Sequence, residues 1–443
     1  MIHRSTFIYR VFCIMLWTVA CFGFVAEELL PPLEGMRPLV MLACDAMALM
    51  LGLFTLRDRR QLWVVGSFLL ISLTSTILVN RLGLVTYING SRMFFGMLFV
   101  PSILLYLLHD RQADRWRSGI ERQLRIFLYV QAVCITWQFV RYGAGDHGGG
   151  SMGMGFSGIV SALIILISYY FVARDFDTDN FWASLWQKRR YIFLMYPVFL
   201  NETKISFVFL AFYFVLLFRG DVRSMSKMVV AIPVAAVAFA LLYMLYMTAT
   251  GLESDDEMDI ANTDFIKEYL FSENAEDAVE NMQNLVDHGE EAMDAVDGMS
   301  GTQDLPRFVK IAVTPITVAR SNGGTFLGAG LGHFKGGTVL ERTEFYKENE
   351  WLILGTMNLY MFVYMQMGLL GMFWFGFAIW AMLDFGSRPF PESYRMKLFL
   401  LLVTIVSVFY NESFSTLIFC IIFSILAVLH SVGPAAPEQP TDR

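Results

Sequence analysis

Lysines and arginines set among apolar or glycine-rich residues are where this chain could handle an anion. Lys204 stands between two short apolar segments in Pro197-Val-Phe-Leu-Asn-Glu-Thr-Lys-Ile-Ser206. A lysine at such a break in a membrane helix can meet an anionic group with little competing water, or simply pair with Glu202. Arg307, Lys310 and Arg320 come later, around a stretch from Phe308 to Ala319 that reads as a helix along the membrane surface. The three-residue step from Arg307 to Lys310 puts both on one helical face. Their partners are a ligand's anions, lipid headgroups or the chain's own acids. Directly after them runs Asn322-Gly-Gly-Thr-Phe-Leu-Gly-Ala-Gly-Leu-Gly-His-Phe334, in which Gly328, Gly330 and Gly332 give a backbone able to take positive φ and approach a ligand closely. The run is neither a dinucleotide fingerprint nor a Walker loop, because the strand, the acidic partner and the Gly-Lys-Ser/Thr ending are missing. His333 is available as a base or as a structural residue.

The elements that must position these residues are membrane helices. Of 443 residues 56% are hydrophobic, in runs rather than stripes, which excludes a soluble protein of two or three domains. The expected spans are 7–26, 38–56, 61–80, 92–109, 124–141, 155–173, 191–201, 205–218, 226–250, 352–383, 396–410 and 413–431. The fold class is therefore all-α: a polytopic integral membrane protein of about twelve transmembrane helices with one large extracytoplasmic loop. Segments 191–201 and 205–218 are short of the roughly 20 residues a crossing needs and read as a kinked or half-crossing pair. The 352–383 run is longer than one span requires and leaves room for a tilted helix or an interfacial lead-in. The first run, with no small-residue cleavage site after it, reads as an uncleaved signal anchor.

Residues 1–250 thus form a membrane domain of nine spans, 251–351 an extracytoplasmic loop, 352–431 three further spans and 432–443 a cytoplasmic tail. With the N-terminus inside, 21 of the 33 basic residues fall on the cytoplasmic side, so the charge bias supports this orientation in a bacterial inner membrane, with the loop periplasmic. That loop holds 21 of the 40 acidic residues against seven basic ones, and such an acidic domain repels nucleic acid. Its front, from Asn262 to Val296, reads as amphipathic helices with a solvated acidic face; Asp294 and Asp297 lack the other oxygen ligands of a calcium loop. Cys13, Cys21, Cys44, Cys134 and Cys420 all lie in spans, with neither a disulfide framework nor metal-site spacing. Asp45 lies at membrane depth, where a carboxylate either works or bonds a neighbouring helix. Arg141 to Gly150, leading into Met152-Gly-Met-Gly-Phe156, reads as a mobile outward linker.

The arrangement resembles the bacterial O-antigen ligase and polymerase superfamily, the WaaL-type ligases and Wzy-type polymerases. The likeness rests on the number of spans with both ends inside, the late outward loop, the Gly328-x-Gly-x-Gly-x-Phe334 turn before a span, and Asn358-Leu-Tyr360 leading to Gln366-Met-Gly-Leu-Leu-Gly371. Met152 to Ser157 is similar to the family's small-residue segment, and Asn201 to Ser206 to its Ser-Arg segment, with Lys204 standing for the arginine. The resemblance covers roughly 150–430 and implies glycosyl transfer with no cofactor, metal or nucleotide. A glycan on undecaprenyl diphosphate is the donor, and a hydroxyl of an acceptor glycan attacks it. Polysaccharide-export or chain-length-control proteins are the partners this implies. The reaction needs cations on the leaving diphosphate, for which Lys204, Arg307 and Arg320 are candidates, and a base on the attacking hydroxyl. Lys310, Gly328, Gly330, Gly332 and Asn358 are the other expected substrate contacts. Where the family's ligases carry His-Asn this chain has Met357-Asn358, which favours a polymerase over a ligase and leaves either His333, Glu348 or Glu350 as the base or a donor reactive enough for positioning and electrostatics to suffice. A flippase or secondary transporter is the reading from a different class, and a membrane anchor for a synthase is a third.

Overall fold

A computed structural model describes residues 4–143, 148–174, 176–177, 180–201, 204–218, 307–332, 343–353, 357–384 and 391–431. Among these residues there are helices and turns and no strand. Five helical stretches among the described residues are long and apolar enough to cross a membrane: Arg4–Leu29, Pro31–Thr55, Arg59–Val79, Leu84–Leu108 and Leu359–Leu383. The chain is all-α with membrane-spanning helices, as its composition led us to expect. The expected span 226–250, the acidic helices at 262–296 and His333 lie outside the described residues.

In chain order the helices are α1 (Arg4–Phe24), α2 (Arg37–Thr55), α3 (Arg59–Leu73), α4 (Leu84–Ser91), α5 (Phe95–Leu108), α6 (Ala113–Tyr142) and α7 (Ser157–Ala173). Short pieces follow, α8 (Phe181–Gln187), α9 (Arg189–Phe193) and α10 (Tyr196–Leu200), then α11 (Lys204–Phe218). After the large loop come α12 (Arg307–Ala319), α13 (Gly324–Leu327), α14 (Glu344–Glu348), α15 (Glu350–Ile353), α16 (Leu359–Leu383), α17 (Pro391–Tyr410) and α18 (Leu417–Ser431). The pair expected at 191–218 is indeed interrupted, with Asn201 in extended conformation just before α11.

The bundle is arranged around α5. The span that contains it is 78% buried, against 28% for the span ending in α2. Small residues let its neighbours approach: a Cβ on Gly52 of α2 would sit 2.2 Å from the Phe99 Cβ, and one on Gly96 of α5 2.7 Å from that of Cys420 in α18. Such close contacts replace the hydrophobic driving force that lipid does not supply between helices. Phe94, just before α5, stacks on Phe362 at 5.1 Å and meets Phe68 at 5.2 Å, while Trp374 donates its indole N–H to the Val64 carbonyl at 3.0 Å. These contacts tie α3, α5 and α16 together. Asp45 of α2 ion-pairs with Arg92 at 3.2 Å, so the carboxylate at membrane depth bonds a neighbouring helix.

Helix ends sort into two groups. At one end Arg4 donates to the Phe54 carbonyl at 3.3 Å, Arg60 pairs with Asp384, and Tyr170 meets His430 edge-on. At the other, Arg37 pairs with Glu27 at 2.6 Å, and the Leu359 N–H donates to the Asn411 carbonyl at 3.0 Å. We call these the arginine-rich end and the glycine-turn end.

α16 accounts for the over-long apolar run by being broken. Gly368 sits at φ 60, ψ −155, a region open to glycine alone. The break takes the Met365 and Gln366 carbonyls out of the helical ladder. They accept instead from the Ala329 N–H at 2.7 Å and the Gly330 N–H at 3.1 Å. Ser75, in the π-helical turn that extends α3, adds a hydroxyl to the Gln366 carbonyl at 3.2 Å. A Cβ on Gly368 would lie 2.4 Å from the Phe326 carbonyl carbon. Gly368→Ala therefore costs about 1–3 kcal/mol in backbone strain before any clash is counted. We expect a lower melting temperature for the purified variant in detergent; unchanged melting would mean the break is not held as described.

Candidate functional site

The glycine turn is a plug in this break. Gly328, Gly330 and Gly332 all have positive φ, at 71°, 97° and 105°. The close approach they permit is to protein. A Cβ on Gly328 would sit 2.7 Å from the Gly368 nitrogen, one on Gly330 2.9 Å from Leu82, and one on Gly332 2.6 Å from Thr86. Their peptide groups are taken as well: Asn80 donates its amide to the Gly328 carbonyl at 2.9 Å, Leu331 N–H reaches the Thr76 hydroxyl at 2.9 Å, and Gly332 N–H reaches the Gln366 side-chain oxygen at 3.3 Å. The expectation that this backbone lies open to a ligand is corrected accordingly: the turn builds the wall of a site.

That site is a cavity of about 510 Å³ at the glycine-turn end. Its floor is Ala329 of the turn, flanked by Asn80 and Leu82. Thr317 of α12 and Arg320 and Asn322, just past its end, line the cavity, as do Glu344, Phe345, Glu348 and Asn349. α14 is fixed there by its own cap, the Thr343 hydroxyl accepting from the Tyr346 N–H at 3.2 Å, and Asn349 folds back to the Phe345 carbonyl at 2.9 Å. One guanidinium, two carboxylates, several amides and an aromatic ring suit a ligand that carries hydroxyls and negative charge. Arg320, Glu344 and Glu348 are all exposed, so their charged heads are in solvent within the cavity mouth.

The other expected site residues are distributed differently. Lys310 is fully enclosed, on the inward stripe of α12 that includes Val313, Thr314, Thr317 and Val318, and does not line the cavity. It was expected as a surface cation; α12 turns its position into the bundle. Arg307 and Lys204 occupy the first positions of α12 and α11. Asn358 is the N-cap of α16, accepting from the Met361 N–H at 2.8 Å, and is 1% exposed. Among the described residues no group of three His, Cys, Asp or Glu is placed to hold a metal ion.

The small-residue segment also differs from expectation. Residues 144–147 lie outside the described residues, but Gly150, Ser151 and Met152 are buried and pinned. Gln138 exchanges two hydrogen bonds with the Gly150 backbone, at 2.7 and 3.1 Å, and Gln131 accepts from the Ser151 N–H at 2.9 Å. Glu27 accepts from the Met154 N–H at 2.6 Å, and Arg37 bridges from Glu27 to the Met152 carbonyl at 3.0 Å. Gly150 to Met154, the end of that segment, are thus held between α1 and α6. Sequence reasoning missed Asn80, Glu344, Asn349, Gln131 and Gln138. The two glutamines, seven residues apart on one face of α6, were the available signal.

Comparison with known proteins finds no matching family model and no matching curated protein.

If Asn358 serves as a cap, Asn358→Ala should cost about 0.5–2 kcal/mol of stability, and Asn358→Ser, which keeps an acceptor oxygen, should recover most of it. Melting curves of the two variants decide this. A serine variant as impaired as the alanine one would assign the amide another duty.

Proposed function

We propose that the protein is a polymerase that joins undecaprenyl-diphosphate-linked oligosaccharide repeat units into an exopolysaccharide or O-antigen. In this reading it works by metal-independent glycosyl transfer at the outer face of the bacterial inner membrane. It crosses about twelve times, with both termini cytoplasmic and 251–351 periplasmic. The observation that carries the reading is the cavity at the glycine-turn end, which Arg320, Glu344 and Glu348 line together with amide and hydroxyl groups.

The chemistry needs two things from such a site. As the acceptor hydroxyl forms its bond to the anomeric carbon, the bond to the lipid diphosphate breaks and charge grows on the leaving oxygen. Arg320 stabilises that charge, with Lys204 and Arg307 as further cations. The hydroxyl proton passes to a carboxylate, and Glu348 takes this role in place of the histidine that the resembling ligases carry. The amides of Asn322 and Asn349 and the ring of Phe345 hold the sugars.

A carrier is the competing class, and a broken helix such as α16 is a feature carriers use. Here, however, the freed carbonyls of Met365 and Gln366 are bonded to Ala329 and Gly330, so the break is filled by the protein's own backbone.

Purified protein in detergent, given lipid-linked single repeats, should build a ladder of longer chains on a gel with no membrane gradient; unchanged single repeats would exclude polymerisation. Glu348→Gln should slow the ladder by about 10²–10⁴-fold, the contribution of a general base. Near wild-type polymer from that variant would remove Glu348 from the mechanism. Arg320→Ala, Arg307→Ala and Lys204→Ala should each cost about 10²–10³ in rate, by analogy with loss of one oxyanion donor. Cells lacking the protein should accumulate single lipid-linked repeats, whereas accumulated long chains would indicate a ligase.

A further inference from the structure

A second cavity, of about 480 Å³, opens at the arginine-rich end, where α6 and α7 meet the short helix α9. Among the described residues, Arg125, Arg174, Lys188, Arg189 and Arg190 line it, with Glu121 the one carboxylate. That carboxylate is already engaged, accepting from the Tyr170 hydroxyl and from the Arg174 guanidinium, each at 2.8 Å. Four cations therefore remain in surplus around one concavity. Like charges gathered in this way repel one another unless an anion joins them.

The guanidiniums are held in place by aromatic faces. Arg190 lies 4.6 Å from the Tyr191 ring, Arg189 4.8 Å from Trp186 and Arg125 5.7 Å from Phe171. Stacking fixes the plane of each fork and leaves most of its N–H groups for an acceptor, a geometry that matches phosphate oxygens. Beside the cavity, Trp186 is 70% and Phe193 71% exposed. Large aromatic side chains left uncovered beside cations at a helix end mark the level of lipid headgroups.

We infer that this cavity binds a lipid headgroup carrying two phosphate groups, at the membrane surface opposite the glycine-turn end. Four surplus cations exceed the two charges of a pair of phosphodiesters, so each phosphate can be shared between two of them, and the exposed aromatics would lie along the acyl chains. The inference does not depend on the glycosyl-transfer reading, because it uses none of the residues assigned to that site.

The test is native mass spectrometry of the full-length protein in detergent, titrated separately with cardiolipin, phosphatidylglycerol and phosphatidylcholine, with inorganic pyrophosphate as the free-anion arm. Cardiolipin should be retained most strongly and phosphatidylcholine least. The double variant Arg189→Gln/Arg190→Gln, which changes two exposed side chains, should weaken cardiolipin binding by about tenfold or more. If that protein does not elute as a single folded species, Lys188→Gln gives the same reading with a smaller loss. Equal retention of cardiolipin and phosphatidylcholine, or variants that bind cardiolipin as well as the wild type, would overturn the proposal. Pyrophosphate that binds in a variant-sensitive way without any lipid preference would overturn the lipid source and assign the cavity to a soluble diphosphate.

Discussion

A peptide group inside a membrane protein must find a partner within the protein, because lipid offers none. The break in α16 is where this requirement is hardest to meet, and the glycine-turn end is built to meet it. The Met365 and Gln366 carbonyls receive N–H groups from Ala329 and Gly330, and Ser75 and Asn80 close the remaining gaps around Gln366 and Gly328. Glycines occupy 328, 330, 332 and 368 because two backbones come within van der Waals contact there and leave no room for a Cβ. The cavity with Arg320 and Glu348 rests directly on this seam, so its shape follows from backbone pairing more than from side-chain choice.

The small-residue segment after α6 meets the same requirement in another way. Its backbone is paired by side chains, Gln131 and Gln138 from α6 and Glu27 from the turn after α1, rather than by another strand of backbone. Both inserted loops thus stand at the same end of the bundle. The arginine-rich end is plainer, with helix termini, ion pairs such as Arg60 with Asp384, and the cationic concavity beside α9. The molecule has a polar, loop-built face and a charged, helix-built face.

Hydropathy made most of the helices readable from the sequence, because a span is a local property of some twenty consecutive residues. The runs at 7–26, 38–56 and 61–80 reappear nearly unchanged as α1, α2 and α3 with its extension. The irregular pieces were not readable, since each depends on a partner far away in the chain. The glycines at 328–332 are visible in the sequence as glycines that permit a close approach, but not what they approach, and Gly368, which Gly328 meets, stands out there only as part of the Gln366–Gly371 motif. Asn358 drew attention through a family resemblance and is held by its cap bond to Met361. Arg320, expected as a cation near the turn, lines the cavity, while Lys310, three residues from Arg307, turns inward because the apolar stripe of α12 includes its position. Glu348 entered only as one of three possible bases, and its neighbour Glu344 not at all, because nothing local distinguishes either from the other acids of the loop.

The seam at Gly368 also bears on the order in which the molecule can be made. Ala329 and Gly330 find their acceptors at Met365 and Gln366, which leave the ribosome later than the donors do. Until α16 has entered the membrane, the turn has only half its partners, those offered by the end of α3 and the loop after it. The wall of the cavity is therefore among the last parts of the protein to reach its final form, and helices already in the bilayer must keep a slot open for it.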